Sequence, residues 1–386
     1  MIILPVGSGK GGVGKSLLAT NLSIALAEAG RAVVLVDLDL GASNAHTMLG
    51  IRSVSRGIGT FLSVPRTSFE DIVMPTEYDG LSFVAGDAEM PGTANLKPAQ
   101  KKRLVRCLES LAPDFMVLDL GPGAGANALD FFLLATAGIV VTTPSLTSLL
   151  NAYIFLKNVV FRAMYATVDQ RSRAFAVLEE LRKDRDGGLQ RASVPRILAR
   201  IAREDPEGHA LLSRALGRLR PRLVLNMVED PAETGKAEKL RSSVHDYLGI
   251  ELSHLGVVFR DELQSVALGS RVPILRYKPG CVLSRALYRI AEKLLAAPAE
   301  EPDGAPWMAG ARGDAESPPP TAEAEAEEDF KGMRRDLEDL LNSGALSMAD
   351  LVESVRTQQI ELSTLRRENA LLRARVQGGN RESARS

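Results

Sequence analysis

Gly9-Lys10-Gly11-Gly12-Val13-Gly14-Lys15-Ser16 stands between a short apolar run, Ile2 to Val6, and a stretch with i, i+3, i+4 apolar spacing, Leu17 to Ala29. The pattern is G-x-x-x-x-G-K-[ST], placed directly after a predicted strand and before a predicted helix. Glycines at these positions let backbone N–H groups converge on phosphate oxygens, and the N-terminus of the following helix adds its dipole. Gly9 to Leu17 are therefore the expected ATP-binding run. Lys15 is expected to reach the β- and γ-phosphates, and Ser16 to ligate Mg²⁺.

Outward from this loop, short β-branched runs alternate with helix-like segments. The predicted strands are 2–6, 32–37, 81–85, 115–120, 138–143, 223–228 and 255–259. Strands apolar on both faces, separated by amphipathic helices such as 101–111, imply a mostly parallel sheet covered on each side. The expected class is α/β, a doubly wound, mostly parallel P-loop core with a helical insertion and a C-terminal helical tail. Core residues 1–297 form the predicted ATPase domain. Its interval from Ser145 to Arg222 is too long for a simple crossover, which places an insertion at about 158–221, broken near Asp186-Gly187-Gly188 and Glu204-Asp205-Pro206. That insertion is rich in arginine, which reads as solvated helical faces or as a binding patch.

Composition narrows the classes further. With 47 Lys+Arg against 48 Asp+Glu, the net charge of −1 argues against a constitutively basic nucleic-acid binder, although one face can still be basic. Two separated cysteines, Cys107 and Cys281, supply neither a disulfide framework nor a cysteine metal site. Near the N-terminus there is no basic region and no apolar stretch approaching 18 residues, so a cytoplasmic chain is expected.

Composition changes at Pro298. Residues 298–329 are rich in Pro, Ala and Glu and are expected to form a disordered acidic linker, too poor in large apolar groups to offset ordering entropy. Beyond it, 330–377 reads as a helical tail, with a disordered end at 378–386. Leu351, Val355, Gln358, Leu362, Leu365, Asn369, Leu372 and Val376 follow a 4,3 alternation with Asn369 at an a position, the pattern of a parallel two-stranded coiled coil. A helix docked on a partner or on the chain's own core, and a basic amphipathic membrane helix, are the alternatives.

The second lysine inside the loop, Lys10, makes Lys10-Gly11-Gly12-Val13-Gly14-Lys15-Ser16 resemble the deviant Walker A motif of the MinD/ParA class of P-loop ATPases. The resemblance implies that Lys10 crosses a dimer interface to the partner's ATP. Val36-Asp37-Leu38-Asp39-Leu40-Gly41 is similar to the family's switch I, which assigns Asp39 to the attacking water and Asp37 to the neighbourhood of the metal. Asn44 matches a polar position near the dimer and nucleotide. Met116-Val117-Leu118-Asp119-Leu120-Gly121 resembles Walker B and the following switch, with Asp119 holding Mg²⁺ through water and Gly121 free to approach the γ-phosphate. Asn226 matches the strand-end asparagine that reads adenine. The wording of 119–123 and 129–132, with Gly138 to Tyr153, is closest to the FlhG group of MinD-like proteins.

By this resemblance the chain is expected to be a slow, Mg²⁺-dependent, partner-stimulated ATPase. It would dimerise on ATP and position, or limit the number of, a structure such as flagella or the division site. An activating protein or effector is expected, with the 330–377 tail as a candidate contact, and the inner face of the membrane as a candidate surface. The alternative is a ParA-type carrier that rides on DNA through the insertion arginines.

Overall fold

The computed structural model describes residues 1–297 except 42, 65, 87–95 and 184–192. The linker, tail and chain end expected beyond residue 297 lie outside the described residues. One sheet holds eight strands: β1 (Ile2–Gly7), β2 (Val33–Leu38), β3 (Val73–Pro75), β4 (Leu81–Val84), β5 (Phe115–Leu120), β6 (Ile139–Thr142), β7 (Arg222–Val228) and β8 (Ser253–Phe259). Their order is β3-β4-β2-β5-β1-β6-β7-β8, and every neighbouring pair is parallel except β3 with β4. Each of the seven predicted strands is present. The eighth, β3, is three residues ending in Pro75, too short to show alternation and confined to the sheet edge, where a missing N–H donor is tolerated.

The central strands bury both faces with a period of two. On β5, Met116, Leu118 and Leu120 enter one core while Phe115 and Val117 enter the other. The first core is covered by α4 (Pro98–Ser110), α5 (Ala126–Phe132) and α6 (Leu146–Thr167), the second by α1 (Lys15–Glu28) and α13 (Val282–Ala296), the last helix among the described residues. Short helices α2 (Ala45–Met48) and α3 (Ile58–Ser63) follow β2. Because odd-numbered residues of β2 and β5 face α1, Asp37 and Asp119 both project toward the helix that follows the glycine loop.

Helix α6 runs unbroken to Thr167, so the segment expected to depart near 158 is still core helix there, and its inner face buries Val159, Val160 and Met164. The added helices are α7 (Arg173–Lys183), α8 (Val194–Glu204) and α9 (Pro206–Arg218). They extend the α6 core through Val177, Ile197, Ile201 and Leu212. Asp205 breaks α8 from α9, accepting from Gly208 N–H at 2.8 Å and from Ala174 N–H at 3.0 Å. The chain re-enters the sheet where Arg220 and Arg222 N–H groups donate to the Thr136 and Gly138 carbonyls. The insertion therefore hangs from the amino edge of the sheet, opposite the edge that carries the glycine loop. After β7 come α10 (Gly235–Ser243) and a π-helical turn (Val244–Leu248), and after β8 come α11 (Leu263–Gly269) and α12 (Ile274–Tyr277).

Candidate nucleotide and metal site

At the carboxyl edge the register aligns Val6 on β1, Asp119 on β5 and Asp37 on β2 in one row. This is the edge where open parallel sheets bind ligands. The loop leaving β1 is held from three sides. Ser8 is fully buried and its hydroxyl donates to the Lys10 carbonyl at 2.7 Å. Gly123 N–H donates to the Ser8 carbonyl at 3.0 Å, tying the segment after β5 to the loop. The Asn226 amide donates to the Val13 carbonyl at 2.8 Å, tying β7 to it.

Two glycines are required by contact. A Cβ on Gly9 would lie 1.8 Å from the Asn151 carbonyl of α6, and one on Gly14 would lie 2.2 Å from the Asn226 amide nitrogen. Gly14 also has φ +89, a left-handed conformation that side chains strain. Lys15, only 7% exposed, opens α1 at the buried centre of the site. Lys10 is half-buried, and its ammonium makes no hydrogen bond or ion pair with the described residues.

The two aspartates of the row differ in their partners. Asp37 accepts from Asp39 N–H at 3.1 Å, Ser43 Oγ at 2.7 Å, and Asn44 and Ala45 N–H at 3.1 Å each. Its carboxyl group organises the loop after β2 and the start of α2. Neither oxygen of Asp119, which is 1% exposed, has a hydrogen-bond partner among the described residues. Burial, with Asp37 beside it, pushes its carboxyl up to about 7, although Ser16 and Lys15 nearby pull the other way. Burial likewise raises Asp37 against the opposing pull of its hydrogen bonds. A buried carboxylate without donors beside a hydroxyl and an ammonium suits a hard divalent cation. Asp119 and Ser16 are the residues that fit Mg²⁺.

Asp39 is half-buried, and a Cβ on Gly121 would meet its Oδ1 at 3.5 Å, so the segments after β2 and β5 touch here. Asn44 is exposed and reaches the site through its backbone N–H. Asn226 is 5% exposed, with its amide committed to the loop. Ser8, Ser43, Gly123 and Asn151 belong to the site without having been given a role from the sequence. Gly123 and Asn151 lay within the runs 119–123 and 138–153 that carried the resemblance, and Ser43, six residues after Asp37, carried a local signal: short polar side chains after a strand-end aspartate commonly close such turns.

Residues 1–164 match the ParA family model, described as NUBPL iron-transfer P-loop NTPase. Over 294 residues the chain is 24% identical to the antiactivator FleN of Pseudomonas aeruginosa, covering 76% of this chain and 85% of FleN. It is 31% identical over 158 residues to an iron-sulfur cluster carrier protein of Synechocystis sp., covering 39% of this chain and 43% of that protein, less than half of the relative's length. The fold resembles the cell division ATPase MinD of Pyrococcus furiosus with a TM-score of 0.50 and 22% identity, over 76% of this chain and 98% of that one. At that identity the likeness is one of fold.

Proposed function

As the chain belongs to the ParA/MinD family of P-loop NTPases, we propose that it is an ATP-dependent dimerising switch that positions, or limits the number of, a cellular structure such as flagella or the division site. The observation that carries this reading is the edge itself. Lys15 and Asp119 are buried there, neither Asp119 oxygen has a partner among the described residues, and the ammonium of Lys10, on the same loop as Lys15, likewise has none among them. A cation presented in this way can reach the phosphates of a second copy, so that recognising the γ-phosphate and dimerising become one event.

Lys15 would bind the β- and γ-phosphates. Asp119 and the Ser16 hydroxyl would hold Mg²⁺, which when bound supplies charge neutralisation at the phosphates. Asp39, lying against Gly121, would orient the attacking water. Asp37 would keep the loop that carries Asp39 in place. Gly121 and Asn44 would face the dimer, and Asn226 would fix the loop beneath the nucleotide. Turnover slow alone and raised by a partner suits a timer. FleN is an antiactivator, and a comparable restraint on an activator protein is the regulation inferred here. The 330–377 tail is the proposed contact for that partner.

The chain would act in the cytoplasm, with the inner membrane face as its candidate surface. No helix among the described residues is long and apolar enough to cross a membrane. The DNA-riding alternative has less support: the insertion arginines lie at the edge away from the nucleotide, and Arg173 and Arg200 are already paired with Glu180 and Glu204. Iron transfer finds little support in the cysteines. Cys107 packs against the α4–α6 core and Cys281 against the α1–α13 core, on opposite faces of the sheet. Substituting Lys15→Ala tests the nucleotide assignment: ATP binding should be lost, and retained affinity would contradict it.

A further inference from the structure

Helix α8 buries Val194, Ile197 and Ile201 and turns Arg196, Ala199 and Arg203 outward. Arg214 is exposed on α9, which packs along α8. Arg200, between Arg196 and Arg203, is neutralised by Glu180 and Glu204. By contrast Arg196, Arg203 and Arg214 form no ion pair with the described residues. Three exposed guanidinium groups without ion pairs among the described residues, on two helices that pack together, supply the chemistry that recognises anions.

The chain carries a matching polyanion and delivers it close by. Residues 300–329 contain ten Asp and Glu against one basic residue, Arg312. They follow α13, whose last turn is anchored beside β8 by the Lys293 ammonium donating to the Leu255 carbonyl at 2.7 Å. Upstream of β8, Gly249 lies against Pro195, with 3.5 Å from its Cβ position to the proline ring, and Pro195 precedes Arg196. Gly249 and Leu255, which touch the start of α8 and the last turn of α13 respectively, are six residues apart in the chain, a span of at most about 21 Å. At about 3.5 Å per residue, Glu300 and Glu301 can already extend about 15 Å beyond Ala296, and the remaining acidic residues farther.

We propose that the acidic segment 300–329 docks on the arginine face of α8 and α9 within the same chain. Charge complementarity and the shared amino edge favour this occupant over an external polyanion. Nucleic acid or an anionic surface then reaches the arginines only by displacing it. The interaction lies opposite the nucleotide edge, so it stands independently of the ATPase reading.

The test uses the full chain, with a benzophenone amino acid at Ala199 and mass spectrometry of the products after irradiation at low salt. Intrachain cross-links to residues 300–329 are expected. They should fall several-fold in about 1 M salt, where the Debye length shrinks to about 3 Å, and likewise in the triple variant Arg196→Glu, Arg203→Glu, Arg214→Glu. A second variant, with the ten acidic residues of 300–329 changed to their amides, leaves the described fold untouched and should give the same loss. Cross-links that map elsewhere, join only two copies, or persist in the amide variant overturn the proposal, as does their absence at low salt.

Discussion

Asp37 and Asp119 are register partners on adjacent parallel strands, yet Asp37 accepts four hydrogen bonds while neither oxygen of Asp119 accepts any from the described residues. One carboxyl group shapes the loop, and the other has no donor among the described residues, as the proposed Mg²⁺ ligand would. The resemblance placed both aspartates near the metal; the hydrogen bonds separate them.

If Asp37 is the organiser, removing one of its donors should loosen the fold before it affects chemistry. Ser43→Ala loses a hydrogen bond to a buried carboxyl group and is expected to cost about 1.5–3 kcal/mol in denaturant unfolding. An unchanged unfolding midpoint would show that the Ser43 contact contributes nothing.

Asp119 makes stability depend on pH. Its native value of about 7 lies above its unfolded 3.8, so the native protein without metal holds a proton that the unfolded chain releases. The associated stabilisation is complete below about pH 4 and is lost as pH rises through 7. Thermal unfolding of the metal-free protein should show this contribution, and Asp119→Asn should flatten the slope between about pH 4 and 7 while weakening Mg²⁺-dependent nucleotide binding. A wild-type slope retained in Asp119→Asn would assign the effect to another group.

Gly14→Ala places a methyl group into the Asn226 amide and forces a left-handed backbone on alanine, at about 1–3 kcal/mol for the backbone alone. Asn226→Ala removes only the bond to Val13. Fluorescent-nucleotide titration should therefore show binding lost in the first variant and weakened in the second. Equal affinity in all three proteins would mean that the β7 tether does not shape the loop.

Asp130 joins three helices, accepting from Lys101 on α4 at 2.5 Å and from Arg162 on α6 at 2.7 Å. Lys101 is nearly buried, with an 11% exposed side chain, so Asp130→Ala leaves an uncompensated ammonium and should cost about 3–5 kcal/mol. Lys101→Met in the same chain should recover part of that loss, whereas Arg162→Ala, with a half-exposed side chain, should cost under about 1 kcal/mol. Strictly additive effects of the Asp130 and Lys101 changes would refute the coupling.

Much of the core was legible because buried parallel strands write themselves as apolar runs, as in Val33–Leu38 and Phe115–Leu120. The loop was legible because its glycine and lysine spacing falls directly between a strand and a helix. What stayed hidden was tertiary. Ser8 acts through contacts within the loop and with Gly123, with no local pattern to mark it, and Asn151, although inside the run Gly138–Tyr153, carried no sign that its carbonyl would press on Gly9. The insertion begins later than the expected 158 because α6 keeps its apolar spacing through Met164; the polar turn Asp169–Ser172, where the Ser172 hydroxyl accepts from Phe175 N–H, marks its end.

Mixing two inactive variants tests whether Lys10 acts across a dimer. Lys10→Ala keeps Asp39 but offers its partner no lysine, and Asp39→Ala offers the lysine but lacks the water-orienting carboxylate. In a mixed dimer the Lys10→Ala protomer would have a complete site. The ATP turnover of an equimolar mixture should therefore rise well above that of either variant alone, toward about a quarter of wild type if subunits exchange at random. Turnover that stays at the level of the separate variants after exchange would contradict a lysine supplied in trans, and with it the nucleotide-driven dimer.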